Sequence, residues 1–196
     1  MTLVLASASA ARRHMLAATG LVFEVEVPRV DEEAAKLSLR SEGKGPRDQA
    51  DALAELKALS VSARHSGFVI GADQMLAIEG QVLDKPRDQG EARTHLQLLR
   101  GKTHELITAA VVAREGAVIW RCIDTPRLRM RAFSEAFLED YLARAGEGAL
   151  ASVGGYQLEG LGAHLFDRVE GDYFSVLGLP LLPLLAFLRE HGIAAA

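Results

Sequence analysis

The segment SASAARR near the start of the chain combines residue types that bind phosphate. Ser7 and Ser9 can cap a helix over 10–19, which would place free backbone N–H groups beside their hydroxyls. N–H groups, hydroxyls and guanidinium groups all match a phosphate. Arg12 and Arg13 stand at the helix end that disfavours cations, so an anionic ligand would offset their placement. The segment predicts a phosphate cradle, with a solvent-exposed helix start as the alternative.

A second candidate is the GADQ segment at 71–74, which follows the apolar run at 68–70. A carboxylate at the carboxyl end of a central strand is a frequent position for ligand chemistry in α/β proteins. Asp73 would there hold a divalent cation or accept a proton from water. The alternative is a turn aspartate that caps its own loop.

Three consecutive carboxylates, Asp31, Glu32 and Glu33, form a third candidate. On local grounds an exposed acidic loop is the favoured interpretation. The alternative is that one of the three shares a cation with Asp73, since Mg²⁺ prefers oxygen ligands.

The fourth candidate is a set of basic residues that follow apolar segments, namely Lys57, Lys85, Lys102 and His104, and Lys85 is the most suggestive of them. Pro86 makes the flank of Lys85 rigid and would fix the direction of that side chain. Each lysine taken alone is typical of a solvated surface.

Composition excludes several classes of protein. The 196 residues include 22 basic and 26 acidic ones, a net charge of −4, which argues against a protein that binds polymeric nucleic acid. A single cysteine, Cys122, excludes an internal disulfide. The first residues lack the basic region of a secretory signal, and the apolar run at 176–188 is too short to cross a bilayer. The sequence therefore predicts a cytoplasmic protein with no membrane partner.

The elements that must position these residues alternate between strands and helices along one domain, 1–196. Hairpins mixed with helical crossovers predict a mixed α/β sheet rather than a purely parallel one. Helices are predicted over 10–19, 49–63, 91–100, 135–144 and 181–191. Strands are predicted over 3–5, 23–27, 68–70, 75–78, 81–83, 106–112, 118–123 and 128–130, and strand-like pieces within 153–172.

Taken in order, these segments resemble the Maf family of nucleoside triphosphate pyrophosphatases, over nearly the whole chain. Each motif is modest alone, and their ordered set is specific. The motifs are LASAS at 5–9 with Arg12 and Arg13, VDE at 30–32, Lys57, GADQ at 71–74, Gly80, Lys85 with Pro86, GKTH at 101–104, GGYQLEG at 154–160, GDY at 171–173 and GLP at 178–180.

The resemblance implies an α/β fold like that of the inosine triphosphatases, elongated, with a mixed central sheet flanked by helices and a cleft between two lobes. It also implies hydrolysis of a nucleoside triphosphate to the monophosphate and pyrophosphate, as in the removal of non-standard nucleotides. The family uses a divalent cation, Mg²⁺ or Mn²⁺, and is commonly dimeric.

The matching positions then take roles by resemblance. Asp73 would accept a proton from the attacking water, and Glu32 would share the metal with it. Lys85 would join them as a catalytic cation. The residues that would hold the phosphates are Ser7, Ser9, Arg12, Arg13, Lys57 and Lys85.

Base preference is expected to depend on Ala11, Gln74 and Glu159. The last two resemble the branch of the family that acts on 7-methyl-GTP, whereas Ala11 departs from both branches. A glutamate can accept from the N1–H and N2–H₂ edge of guanine, so the resemblance favours a purine base.

Two other functions remain open from the sequence. One is a phosphatase that releases orthophosphate, which product identity distinguishes. The other is a nucleotide-binding regulator of cell division, because the family is linked to septum formation. For a regulator, the cellular effect would survive Asp73→Asn.

Overall fold

Residues 2–195 are described by a computed structural model, in which strands and helices are mixed along the chain. The strands are β1 (Leu3–Ala6), β2 (Glu24–Glu26), β3 (Phe68–Ile78), β4 (Gln81–Leu83), β5 (Thr103–Arg114), β6 (Ala117–Asp124), β7 (Arg127–Met130) and β8 (Phe166–Glu170). The helices are α1 (Ala10–Ala18), α2 (Glu32–Ser41), α3 (Pro46–Ser62), α4 (Gln89–Leu99), α5 (Glu135–Ala145), α6 (Tyr173–Val176) and α7 (Leu181–Glu190). Short 3₁₀ helices cover Gly146–Leu150, Val153–Gly155 and Leu161–Leu165.

The strands pair into one sheet in the order β2-β1-β3-β5-β7-β8, with β4 also paired to β3 and β6 to β5. β1 runs parallel to β2 and to β3, whereas β4, β6, β7 and β8 pair antiparallel. Parallel neighbours require a crossover, and the helices between β1 and β3 supply it. The prediction of a mixed α/β sheet is confirmed.

The chain divides into two compact units. The first contains the chain up to Gln74, the segment Thr108–Asp124 and the chain from Asp172 onwards. The second contains Met75–Ile107 and Thr125–Gly171. Strands β3 and β5 each contribute residues to both units. One domain over 1–196 stays a prediction.

In the first unit, the two faces of β1 and β3 pack against different helices. Leu5 and Ile70 lie in a core with residues of α1 and α7, among them Leu16 and Leu184. Val4, Ala6 and Val69 lie on the opposite face with Val61 of α3. Side chains alternate along a strand, so Asp73 continues the α3 face of β3 and Gln74 continues the α1 and α7 face.

Strand β3 is longer than the sequence indicated. A strand that ends at 71–74 and a new strand at 75 were expected, whereas β3 continues without a break from Phe68 to Ile78. The expected strand end at 71–74 is wrong, and so is the alternative of a turn aspartate, because an ammonium group packs against the Asp73 carboxylate inside the protein. The negative charge of Asp73 is therefore paired inside the protein, and no turn is needed to bring it to solvent.

Helix α2 replaces the expected acidic loop at 31–33. Asp31 is the N-cap and accepts a hydrogen bond from the N–H of Ala34 at 3.0 Å. Glu32 and Glu33 occupy the first turn, where negative charge interacts favourably with the helix dipole. An aspartate followed by two acidic residues is itself a helix-start signal, and the loop interpretation was wrong.

The two predicted hairpins are confirmed. Ile78 pairs with Gln81, and Arg114 with Ala117, so each loop has two residues. In the first loop Glu79 has φ 48° and Gly80 has φ 80°. Positive φ at both positions is typical of the tight hairpin turn that matches strand twist.

Several predicted helices agree with the structure to within three residues at each end: α1, α3, α4, α5 and α7. The glycine-rich segment 153–172 contains 3₁₀ turns and β8 rather than several strands. No helix among residues 2–195 is long and apolar enough to cross a membrane.

Candidate functional site

The loop between β1 and α1 presents the two predicted serines. Ser9 is the N-cap of α1, as expected, and its Oγ accepts from the N–H of Arg12 at 3.4 Å. The Oγ of buried Ser7 accepts from the N–H of Ser9 at 3.1 Å. Both hydroxyl oxygens therefore accept from the backbone. Each hydroxyl proton can still be donated to an anion.

Arg12 is held by a backbone carbonyl from the far end of the chain. Its Nε donates to the carbonyl oxygen of Gly178 at 2.7 Å. Burial lowers the pKa of the Arg12 guanidinium, and the negative charges of Asp73 and Glu32 act in the opposite direction. Because Nε is engaged by the carbonyl, the two terminal nitrogens are the ones that can form a fork to an anion.

Gly178 has a backbone conformation that other residues rarely adopt. Its φ is 103°, and a Cβ there would lie 3.4 Å from Nε of Arg12. Glycine therefore permits the backbone turn after α6, whereas a Cβ at this distance would be in ordinary van der Waals contact with the guanidinium.

Helix α3 is in direct contact with β3 at Gly71. A Cβ on Gly71 would lie 2.3 Å from the carbonyl oxygen of Ala54 and 2.5 Å from the backbone nitrogen of Ala58. Only a glycine permits this separation of helix and strand. It also places Lys57, the residue before Ala58, within reach of the strand.

We expect Gly71→Ala to lower the free energy of unfolding by about 2–3 kcal/mol, because the added methyl group overlaps the backbone of α3. Urea denaturation of the purified protein measures this change. Gly45→Ala is the matched control, since nothing lies within 4 Å of a Cβ at Gly45. Equal stability of the two variants would contradict the close packing of α3 on β3 at Gly71.

Lys57 bridges two carboxylates in the first unit. Its Nζ lies 2.6 Å from Oδ1 of Asp73 and 2.9 Å from Oε2 of Glu32. The side chains of Lys57 and Asp73 are only 7% and 9% exposed, while Glu32 is 44% exposed. With Arg12, the cluster contains two positive and two negative groups. A buried pair of this kind is tolerated only because each charge has a partner.

The carboxylates of Asp73 and Glu32 suit a hard divalent cation that is bound together with the phosphates of a nucleotide. Asp73 and Glu32 offer only oxygen atoms, which is the chemistry that Mg²⁺ and Mn²⁺ select. Within residues 2–195, no group of three or more His, Cys, Asp or Glu side chains is placed to hold a metal. Mg²⁺ is commonly bound by one or two carboxylates together with substrate phosphates and water, and the two carboxylates here match that pattern.

Gln74 lies next to Asp73 in sequence but on the other face of β3. Its Nε2 donates to Oγ1 of Thr108 at 2.8 Å and to the carbonyl oxygens of Ser175 at 3.0 Å and Val176 at 3.1 Å. The amide nitrogen of Gln74 is therefore engaged by the protein itself.

The other predicted site residues of the first unit lie on α1. Ala11 is half-buried in the first turn, and Arg13 is exposed. Of the predicted residues, the structure brings Lys57, Asp73 and Glu32 into direct contact, and the charges of the two carboxylates act on Arg12.

Lys85 and Glu159 belong to the second unit. Lys85 is exposed after β4, directly before the buried Pro86. Glu159 is exposed between the 3₁₀ helices Val153–Gly155 and Leu161–Leu165.

A buried polar pair supports the GGY segment of the second unit. Nε2 of His104 lies 2.6 Å from the hydroxyl of Tyr156, and both rings pack against Phe166. The hydroxyl of Tyr141 donates to the carbonyl oxygen of Gly155 at 3.1 Å. Burial raises the pKa of Tyr141 to about 12 and lowers that of His104 to about 4. The histidine is therefore neutral at pH 7.

The buried histidine predicts a loss of stability in acid. Its pKa is about 4 in the folded state against 6.5 unfolded, so the unfolded chain binds the extra proton between these values. Stability is fully present above pH 6.5 and falls by about 3 kcal/mol as the pH decreases to 4. We expect His104→Gln to remove this part of the pH dependence, as measured by urea denaturation at pH 7 and 4. An unchanged slope in the variant would refute the assignment.

The structure adds functional groups that the sequence analysis missed. The carbonyl of Gly178 and the side chain of Thr108 both belong to the surroundings of the predicted residues. GLP at 178–180 was noted as a motif, but a backbone carbonyl has no signature in residue type. Thr108 lies within an apolar strand and carries no local signal.

Comparisons with known proteins identify the family of the chain. The model of the family described as Maf-like protein matches residues 2–191. A nucleoside triphosphate pyrophosphatase of Caulobacter vibrioides is 53% identical, over 96% of this chain and 94% of its own length. One of Paramagnetospirillum magneticum is 54% identical, over 96% and 98%. A 7-methyl-GTP pyrophosphatase of Rhizobium meliloti is 48% identical, over 97% and 96%.

Proposed function

The chain belongs to the Maf family, and we propose that it is an enzyme that hydrolyses a nucleoside triphosphate to the monophosphate and pyrophosphate. The observation that carries the proposal is the position of Lys57 between Asp73 and Glu32, with Arg12 in the same cluster. The carboxylates of Asp73 and Glu32 can bind a divalent cation and accept a proton from water. The side chains of Lys57 and Arg12 can bind the phosphates.

Binding of the triphosphate begins with the groups around the start of α1. Ser7 and Ser9 donate their hydroxyl protons, and Arg12 offers its two terminal nitrogens as a fork. Arg13 adds a positive charge from the exposed side of the same turn. The free N–H groups of the helix start favour the same negative charge.

The chemical step is attack of water on the α-phosphorus. The water oxygen forms a bond to phosphorus, and the bond from phosphorus to the α–β bridging oxygen breaks. Pyrophosphate leaves with that electron pair, and Asp73 takes the proton of the water. Lys57 contacts Oδ1 of Asp73, so the second carboxylate oxygen is the one that accepts.

Lysine and arginine side chains of this chain offset the negative charge of the phosphates. Lys57 and Arg12 stabilise the negative charge that develops on the phosphate oxygens. Lys85 is proposed to offset charge on the phosphates in the same way. When bound by Asp73 and Glu32, Mg²⁺ or Mn²⁺ supplies Lewis-acid polarisation of the phosphate.

A purine base is the proposed preference. Glu159 is an exposed carboxylate, and it can accept from two adjacent donors on the guanine edge. Uracil presents one donor between two carbonyls, which a carboxylate would repel. We expect Glu159→Gln to reduce the preference for GTP over UTP, as measured by the ratio of the kcat/KM values. A ratio equal to that of the wild type would remove Glu159 from base recognition.

Product identity tests the proposal. Wild-type protein with Mg²⁺ or Mn²⁺ is incubated with GTP, 7-methyl-GTP, inosine triphosphate, UTP, dTTP and CTP, and with EDTA as control. Pyrophosphate with equimolar monophosphate, abolished by EDTA, is the expected result. Orthophosphate with the diphosphate would indicate a phosphatase instead, and no release from any nucleotide would overturn the proposed activity.

Arg12→Ala is expected to raise KM by about 10–100-fold, since a charge-assisted hydrogen bond contributes about 1.5–3 kcal/mol. Steady-state kinetics with the best nucleotide measures the change. His14→Ala, an exposed position on the same helix, is the matched control. An unchanged KM in Arg12→Ala would exclude the guanidinium from phosphate binding.

A further inference from the structure

We propose that Gln74, together with Thr108, is a positioning residue that fixes Arg12 through the turn after α6. The inference rests on the proposed role of Arg12 in binding the triphosphate. It assigns Gln74 to the positioning of a phosphate ligand rather than to direct contact with the base.

Gln74 lies on the face of β3 that is directed towards the core. Its neighbours along one face of β3, Ile70 and Ala72, lie in the core with α1 and α7, whereas Asp73 faces α3. The amide nitrogen of Gln74 has three acceptors within 3.1 Å, and two of them are carbonyls of α6. An amide nitrogen engaged in this way cannot at the same time read the edge of a base.

The carbonyl of Ser175 is the centre of the network. Its oxygen accepts from Nε2 of Gln74 at 3.0 Å and from Oγ1 of Thr108 at 2.8 Å. It also accepts from the backbone N–H of Gly178 at 3.1 Å. The side chain of Gln74 and the turn at Gly178 are therefore joined at one oxygen atom.

The next bond reaches the arginine. The carbonyl oxygen of Gly178 accepts from Nε of Arg12 at 2.7 Å. The path from Gln74 to Arg12 thus runs through the Ser175 carbonyl and one residue, Gly178. Because φ of Gly178 is 103°, the direction of its carbonyl depends on the hydrogen bonds that hold this turn.

Thr108 makes the orientation of the amide unambiguous. Its Oγ1 donates to the Ser175 carbonyl and accepts from Gln74, so its hydrogen-bond roles are complementary. Thr108 is fully buried, as is Ser175. Buried polar networks of this kind rigidify the groups they hold, and the loss of one member loosens the others.

Thr108→Val removes the hydroxyl at constant shape, and Thr108→Ser keeps it as the matched control. Gln74→Met removes the amide of the second member. The probe is inorganic tripolyphosphate, used as a competitive inhibitor of the hydrolysis assay, because it has no base. We expect Thr108→Val and Gln74→Met to raise its inhibition constant by about three- to tenfold, the effect of one neutral hydrogen bond.

The double variant Thr108→Val/Arg12→Ala tests whether the effect acts through Arg12. We expect Thr108→Val to add nothing in the Arg12→Ala background, since coupled residues are not additive. The same fold-change in both backgrounds would overturn the proposal. So would unchanged inhibition in the folded variants Thr108→Val and Gln74→Met, or a change confined to the preference among bases.

Inhibition by tripolyphosphate distinguishes the positioning role of Gln74 and Thr108 from the phosphate-binding role of Arg12. If Arg12→Ala weakens the binding of tripolyphosphate while Thr108→Val and Gln74→Met do not, only the positioning role of Gln74 and Thr108 is refuted. If Arg12→Ala has no effect, its phosphate role is lost as well. Independent of activity, the exchange rate of the Arg12 Nε–H measured by NMR is expected to rise in Thr108→Val and not in Thr108→Ser. Equal rates would overturn the proposal directly.

Discussion

Asp73→Asn is expected to lower kcat by about 10²–10⁴-fold, the contribution of a positioned proton acceptor, with the protein still folded. The amide has the shape of the carboxylate but does not accept a proton from water. Lys57 keeps Glu32 as a partner at 2.9 Å, so the site does not lose its charge balance entirely. Steady-state release of pyrophosphate measures the effect, with thermal unfolding as the check of folding.

Asp167→Asn is the control for this prediction, because Asp167 is exposed on β8 of the second unit. We expect its kcat to match that of the wild type. If Asp73→Asn retained more than about a tenth of the wild-type kcat, Asp73 would not be the proton acceptor.

Lys57→Met is expected to lower the free energy of unfolding by about 3–5 kcal/mol, the cost of leaving a buried charge without its partner. Asp73 is 9% exposed and has Lys57 at 2.6 Å. Activity should fall with stability, because the same ammonium group stabilises charge on the phosphate. Urea denaturation measures the first effect and pyrophosphate release the second.

The double variant Lys57→Met/Asp73→Asn distinguishes loss of the pair from general damage to α3. Without the carboxylate, the methionine has no uncompensated charge beside it, so the double variant should be more stable than Lys57→Met alone. Lys102→Met removes an exposed lysine paired with Glu79 and should cost less than about 1 kcal/mol. Equal instability of the single and double variants would contradict the buried ion pair.

The sequence predicted those parts of the fold that depend on neighbouring residues. Ser9 caps α1 as expected, because capping needs only the residue and the next turn. The two hairpins followed from Glu-Gly pairs between apolar runs. The hairpins and helices by themselves only suggested a mixed sheet, and the resemblance to the Maf family supported it.

Long-range contacts account for what the sequence did not reveal. The course of β3 through Asp73 depends on Lys57, 16 positions earlier in the chain. The restraint on Arg12 comes from a carbonyl 166 positions away. Gln74 was assigned by resemblance to base preference, and its position on the face opposite Asp73 is visible only once β3 is known to be continuous.

The point of water attack is tested most directly by hydrolysis of the preferred nucleotide by wild-type protein in water enriched in ¹⁸O, with mass analysis of both products. Attack of water on the α-phosphorus predicts one ¹⁸O atom in the nucleoside monophosphate and none in the pyrophosphate. Label in pyrophosphate would place the attack at the β-phosphorus, and label in orthophosphate would identify a phosphatase. Either result would contradict the mechanism assigned to Asp73 and its cluster.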